Sequence, residues 1–282
     1  MLVTLFRFLS FFPLSFLHTL GSALGWLVYL FAGSYRRRLQ ENIRLAGFDA
    51  HLHSAVREAG KNIMELPFVW CANPARVLRT TSVDNWECVA AALEEKKGVI
   101  VLTPHLGCFE MIGQAFAERA RLTCLYRPPR KSALKPLIEG ARARGDLLLA
   151  PANLSGVRIL AKALKKGEAI GLLPDQVPQE GEGVWARFFG KPAYTMTLSS
   201  KLQSMTDANV ILAYAERLPF GKGYVVRFSP FDGKLEGDAT QRAEIINKAM
   251  EKLIARSPSQ YFWSYNRYKK PEGVAAPEQD VA

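Results

Sequence analysis

A short run of apolar, mostly β-branched residues, Val99-Ile100-Val101-Leu102, is bounded by Lys96-Lys97-Gly98 on one side and broken by Pro104 on the other. A run this short, with no polar alternation, fits a strand buried on both faces, as in a parallel sheet covered by helices. Two further runs end in the same manner. Leu122-Thr123-Cys124-Leu125-Tyr126 leads into Arg127-Pro128-Pro129-Arg130-Lys131, and Ala169-Ile170-Gly171-Leu172-Leu173 leads into Pro174-Asp175-Gln176. Helical patterns are expected over 134–144, 155–166 and 240–256, and later strands over 210–215 and 224–228. Residues 36–97 read as mainly helical. The fold expected is α/β, with a mixed, mostly parallel central sheet flanked by helices and an N-terminal hydrophobic membrane-anchor helix in front of it. The boundaries expected are 1–34 for the anchor, 35–270 for the folded domain and 271–282 for a loose tail.

Polar groups that leave parallel strands at their carboxyl ends gather on the edge where open α/β sheets bind ligands. By that rule His105, Glu110, Arg127 and Asp175 converge on one site. His105 follows the first strand, and Glu110 falls five residues later, in or near the first turn of a helix, where the dipole favours a carboxylate. On one continuous helix a five-residue spacing would turn the two side chains apart, so a loop has to bring them together. An imidazole oriented by a carboxylate is a general base for a hydroxyl. The spacing alone is weak, because His53 and Glu58 repeat it within a polar stretch that reads as a solvated helix. The context of His105 at a strand end is what separates the two. An arginine at position 127 suits a phosphate or carboxylate through its planar fork.

Other chemistries lack their residues. The four cysteines, Cys71, Cys88, Cys108 and Cys124, show no paired spacing and no histidines at metal-ligand distances, so neither a zinc site nor a disulfide framework is indicated. Cys108 reads as a buried thiol rather than a nucleophile. There is no phosphate loop of the G-x4-G-K-[ST] type and no G-x-S-x-G elbow. No metal and no cofactor are expected.

From Phe8 to Ala32 the only strongly polar interruption is His18, a stretch long enough to cross a bilayer as one helix. Tyr35-Arg36-Arg37-Arg38 follows at once, and the positive-inside tendency then places the rest of the chain in the cytoplasm. A cleaved signal peptide and a helix lying in the interface, with Pro13, Gly21 and Gly25 permitting a bend, are the other readings of this segment. The formal net charge of +11 suits anionic lipid headgroups or an acidic carrier protein. No nucleic-acid-binding pattern accompanies it, although aromatic residues alternate with cations between Gln260 and Lys270.

Taken together, these blocks resemble the bacterial lipid A biosynthesis acyltransferases, the late lauroyl- and myristoyl-transferase family related to the glycerolipid acyltransferases. The resemblance rests on Thr103-Pro104-His105-x4-Glu110, Tyr126-Arg127-Pro128, Leu172-Leu173-Pro174-Asp175-Gln176, the segment from Gly181 to Thr195, and Gln260 to Lys269. Pro104 stands where the glycerolipid branch usually carries asparagine, which favours the lipid A branch. Tyr265 departs from the family, in which histidine is common at that position.

The resemblance implies transfer of a fatty acyl group from an acyl carrier protein or coenzyme A thioester to a hydroxyl of a lipid A precursor at the inner membrane, on its cytoplasmic side. His105 would be the general base and Glu110 its orienting partner. Arg127, Arg130, Lys131, Asp175, Gln176 and Arg187 would form the substrate-binding set. A lysophospholipid or another membrane glycolipid is the alternative acceptor, and a non-catalytic membrane-surface adaptor is the alternative class. Trp185, Phe188 and Phe189 lie in a segment rich in glycine and proline, where they would either line an acyl channel or plug the core.

Overall fold

A computed structural model of the chain describes residues 2–128, 134–142 and 144–277. Helices α1 (Leu2–Leu9), α2 (Leu14–Phe31), α3 (Gly33–Leu45), α4 (Leu52–Met64), α5 (Leu66–Cys71) and α6 (Pro74–Arg79) precede the first strand, β1 (Thr81–Asp84). Then follow α7 (Trp86–Glu94), β2 (Val99–Leu102), α8 (Glu110–Ala117), β3 (Leu122–Tyr126), α9 (Lys135–Arg142), β4 (Leu147–Pro151), α10 (Leu154–Lys165) and β5 (Ala169–Leu172). The chain continues through β6 (Gly183–Phe188), β7 (Lys191–Met196), α11 (Leu198–Thr206), β8 (Asn209–Arg217), β9 (Tyr224–Pro230) and α12 (Ala239–Ile254).

Seven strands form one sheet in the order β1-β9-β8-β2-β5-β3-β4. Every neighbouring pair is parallel except β8 and β9, which form an antiparallel pair. The sheet is therefore mixed and mostly parallel, with helices on its faces, as the buried apolar runs require. Alternation along the central strands divides the core in two. Val99 and Val101 of β2, Ala169 of β5 and Ile211 and Ala213 of β8 face one cluster with α7 and α8. Ile100 and Leu102, Ile170 and Leu172, and Leu212 and Tyr214 face the other with α3, α10 and α12. All four residues of β2 and all four of β5 are buried, as expected of strands covered on both faces.

Several elements differ from the sequence reading. The glycine- and proline-rich segment, Pro178 to Pro192, contributes to the antiparallel hairpin β6–β7, because Phe189 and Gly190 take the positive φ values that a tight reversal needs. Strands β1 and β4 escaped notice. In β1 a short polar run, Thr81-Ser82-Val83-Asp84, pairs at the sheet edge and carries no apolar signature. Helices α10 and α12 start where their caps place them: Asn153 accepts from the backbone of Ser155 and Gly156, and Asp238 forms a capping box with Gln241.

The apolar amino-terminal stretch is two helices rather than one, because Pro13 ends the first and opens the second. Helix α2 has 18 residues with a mean hydropathy of 1.4, a length and composition able to cross a membrane, and a third of it is buried inside the protein. Its buried residues Leu14, Leu17, His18, Gly21, Gly25 and Tyr29 fall on one face that runs its whole length. That face lies on α4 at backbone contact. A Cβ at Gly60 would stand 1.9 Å from the Gly21 carbonyl oxygen, and one at Gly25 would stand 2.1 Å from that of Val56. The small residues are what allow the two helices to approach so closely. Phe16, Leu20, Leu27, Leu30 and Phe31 remain exposed on the outer side.

Candidate active site

Strands β2 and β5 run parallel and in register, Leu102 opposite Leu172. His105 lies three residues past the end of β2, and Asp175 lies three residues past the end of β5. Equal offsets from paired positions put the two side by side. Asp175 Oδ1 lies 2.8 Å from His105 Nδ1, and Oδ2 accepts the His105 backbone N–H at 2.8 Å. The carboxylate is almost fully buried, whereas the imidazole is 14% exposed. Burial pushes the Asp175 carboxyl up. The charge and hydrogen bonds of His105, together with the Arg267 guanidinium, outweigh that and hold it below its ordinary value.

With the Nδ1 proton turned to Asp175, the lone pair of His105 sits on Nε2. The Gln176 amide nitrogen lies 3.0 Å from Nε2 and donates to it. The Phe109 ring packs edge-on against the imidazole, with centroids 4.8 Å apart. The outward nitrogen of an oriented histidine is thus occupied by a side-chain amide that a hydroxyl could replace.

The loop carrying His105 is pinned by the carboxyl-terminal segment. Phe262 N–H donates to the His105 carbonyl at 3.2 Å, and Gly107 N–H donates to the Gln260 carbonyl at 3.1 Å. The Gln260 side chain in turn brackets the Arg217 backbone, accepting from its N–H at 2.8 Å and donating to its carbonyl at 2.9 Å. Gly107 has φ +62°, and a Cβ there would fall 1.8 Å from the Ala215 carbonyl oxygen, so the tight return from His105 to α8 depends on glycine. Tyr265 braces the second loop, its hydroxyl accepting from Val177 N–H at 3.0 Å.

Glu110 opens α8 as expected, but it does not orient His105. Its carboxylate is held by two guanidinium nitrogens of Arg142 and by the Trp70 indole N–H at 3.3 Å. Asp175, delivered by the neighbouring strand, is the carboxylate that holds the imidazole instead. Arg142 lies over the Tyr126 ring at 5.8 Å. Burial lowers its pKa, and the Glu110 carboxylate more than reverses this. Two linked pairs therefore occupy the carboxyl edge: His105–Asp175 and Glu110–Arg142.

Arg127 is exposed at the end of β3, on the same edge, within electrostatic reach of Tyr265. Arg130 and Lys131 lie outside the described residues. Gln176 joins the site directly. Arg187 sits in β6, where its N–H faces Glu244 at 3.4 Å and its carbonyl accepts from Asn247 at 2.9 Å, both on α12. Phe188 is 1% exposed and packs on Phe189, Tyr268 and the Arg267 guanidinium. Phe189 packs on Phe48 and Trp263, while Trp185 donates to the Ala275 carbonyl. Phe188 is thus part of the core, and Phe189 is partly buried against it. Cys108 is buried and its thiol is pushed well up by burial, which leaves no nucleophilic thiolate.

Arg142 and Trp70 were invisible as site residues in the sequence. Arg142 belongs to a helix dense in charge, where one more arginine reads as solvated, and Trp70 reads as a core aromatic beyond Pro67. The available signal was the unpaired Glu110, which, buried at a helix start, needed a cation.

Residues 1–270 match the model of the bacterial lipid A biosynthesis acyltransferase family. The chain is 28% identical over 273 residues to the lipid A biosynthesis lauroyltransferase of Escherichia coli (strain K12), covering 93% of this chain and 88% of that protein. It is 27% identical over 225 residues to the palmitoleoyltransferase of the same organism, covering 78% and 72%. A lipid A biosynthesis acyltransferase of Haemophilus influenzae is 26% identical over 179 residues, covering 63% and 55%. The chain is an O-acyltransferase of the bacterial lipid A biosynthesis acyltransferase family.

Proposed function

We propose that this enzyme transfers a fatty acyl group from an acyl carrier protein or coenzyme A thioester to a hydroxyl of a lipid A precursor, with His105 as general base. The observation that carries the mechanism is the His105–Asp175 pair, with Nε2 turned away from the carboxylate and capped by Gln176. An acceptor hydroxyl takes the place of the Gln176 amide and gives its proton to Nε2 as its oxygen attacks the thioester carbonyl. Asp175 holds the ring and stabilises the imidazolium that forms. The C–S bond then breaks, and the departing sulfur takes the proton back from Nε2. Atoms and charge balance without an acyl-enzyme. Glu110 fixes Arg142 beside this centre, and Arg127 supplies an exposed cation for a phosphate of either substrate.

The charge of +11 favours an acidic carrier protein as donor. The exposed apolar residues of α2 and the arginines at 36 and 37 fit the cytoplasmic face of the inner membrane. The test is mass spectrometry of membranes containing the protein, supplied with carrier-protein or coenzyme A thioesters and either a lipid A precursor or a lysophospholipid. Acylation of the lipid A precursor that disappears with His105→Ala is the expected result. Acylation of the lysophospholipid alone would overturn the acceptor, and transfer undiminished in His105→Ala would overturn the mechanism.

A further inference from the structure

Phe220 is 86% exposed, and its φ of +59° lies in the left-handed region, which a bulky L side chain enters only against steric resistance. A single exposed apolar residue on a relaxed backbone is ordinary, as at Met205 in α11. A strained backbone that holds a phenyl ring out of the protein is a different case, because such strain collects where a protein meets something else. Phe220 sits at the tip of the β8–β9 connection. Leu218 N–H closes that turn onto the Gly223 carbonyl at 2.9 Å, and Lys222 N–H donates to the Pro219 carbonyl at 3.2 Å. Strand β8 pairs with the parallel β2 as far as Leu212 but runs on to Arg217, roughly 17 Å farther at the usual rise of a strand. The turn therefore projects beyond the carboxyl edge of the sheet, the edge that carries His105. On the way Ala215 accepts the Cys108 N–H at 2.9 Å, so the strand that lifts Phe220 outward also braces the His105 loop.

The turn is seated against α2. Gly221 has φ +70°, and a Cβ there would stand 2.3 Å from the Ser15 backbone nitrogen. Immediately after Ser15 begins the exposed apolar stripe of α2, Phe16, Leu20, Leu27 and Phe31, on the side opposite Gly21 and Gly25. Phe220 extends that stripe from a different element. Lys222, two residues farther on, is exposed.

We infer that the β8–β9 turn is a second membrane contact: Phe220 enters the boundary between headgroups and acyl chains beside α2, Lys222 stays among anionic headgroups, and the edge that carries His105 is thereby turned toward the lipid surface. Lipid is the occupant because the patch continues the outer face of a helix of membrane-crossing length and hydropathy, and because a cation flanks the ring in a chain of net charge +11. The inference rests on the reading that the outer face of α2 meets the membrane.

The test places para-trifluoromethylphenylalanine in place of Phe220 in the full chain, in bicelles of phosphatidylethanolamine and phosphatidylglycerol. Fluorine NMR then reads broadening by a doxyl-labelled lipid and by a water-soluble gadolinium chelate. The expected result is broadening by the lipid label and protection from the chelate. Broadening by the chelate alone would put the ring in water and overturn the contact. Protection from the chelate without broadening by the lipid label would put a protein surface, such as a second copy of the chain, over the ring and overturn it as well. The same label in place of Phe16 separates the two ways of failing: no lipid broadening at either position would sink the reading of α2, whereas broadening at Phe16 alone would sink the turn and leave α2 in the membrane. A second readout needs no label. Asparagine tolerates a positive φ, so Phe220→Asn should keep its thermal midpoint in detergent at or above that of the wild type. Its affinity for vesicles of the same two lipids should fall by about tenfold, and the KM for a vesicle-borne acceptor should rise while kcat stays unchanged. Unchanged vesicle affinity in a folded Phe220→Asn protein would overturn the contact.

Discussion

Among the described residues two histidine–carboxylate pairs occur, His105–Asp175 and His18–Glu65, and they have opposite settings. His18 Nε2 lies 3.3 Å from Glu65, and both side chains are at most 5% exposed. Glu65 is also gripped by the Arg217 fork and accepts the Tyr224 hydroxyl at 3.1 Å, while Arg217 reaches on to Glu58 at 2.6 Å. Burial pushes the Glu65 carboxyl up, yet Arg217 and His18 together bring it down to about 2. That pair ties α2 to β8 and β9 and leaves nothing free to react. His105 has the same partner chemistry but stands at a strand's carboxyl edge, 14% exposed, with Nε2 facing an exchangeable amide. The chemical pair is shared; what differs is access to the second ring nitrogen.

The largest effects should separate the two histidines. His105→Ala should lower transfer by about 10⁴-fold with the fold intact, since it removes the base of the proposed mechanism. His18→Ala should leave turnover per folded molecule near wild type and cost about 1–3 kcal/mol of stability, read from chemical denaturation. Equal loss of turnover in both would erase the distinction.

Next comes the buried network. Glu65→Gln leaves the Arg217 charge short of its main partner and should destabilise the fold by about 3–5 kcal/mol. The pH dependence has a definite sign. Because the folded-state pKa of Glu65 is depressed to about 2 from 4.5, its contribution is complete above about pH 4.5 and is lost as pH falls toward 2. Urea titrations between these values should show less acid sensitivity in Glu65→Gln than in the wild type; equal slopes would contradict the assignment.

A smaller effect probes the α2–α4 contact. Gly60→Ala places a Cβ against the Gly21 carbonyl oxygen and should cost about 1–3 kcal/mol through strain, which a shift in the thermal midpoint would register. An unchanged midpoint would show that α2 is held loosely.

The sequence made the sheet legible because β2, β3 and β5 are short apolar runs closed by proline or basic residues. It made His105, Asp175 and Gln176 legible as strand-end groups. It misassigned the partner of His105. Sequence spacing favours Glu110, whereas the register of β2 against β5 favours Asp175, 70 residues away, and register is a tertiary property. Arg142 and the Arg217 network stayed hidden for a related reason: a charged residue is read as solvated until a partner from a distant element is seen beside it. The Pro13 break was visible in the sequence, but hydropathy alone does not show that α2 lies along α4 through Gly21, Gly25 and Gly60.

The most direct measurement is single-turnover acyl transfer by Asp175→Asn, with folding verified by thermal denaturation and acceptor binding measured separately. Asparagine keeps an oxygen for the His105 backbone N–H and removes the charge that orients and stabilises the imidazolium. The predicted result is a fall of about 10²–10⁴-fold in the transfer step with acceptor affinity little changed. Wild-type transfer by a folded Asp175→Asn protein would contradict the His105–Asp175 assignment.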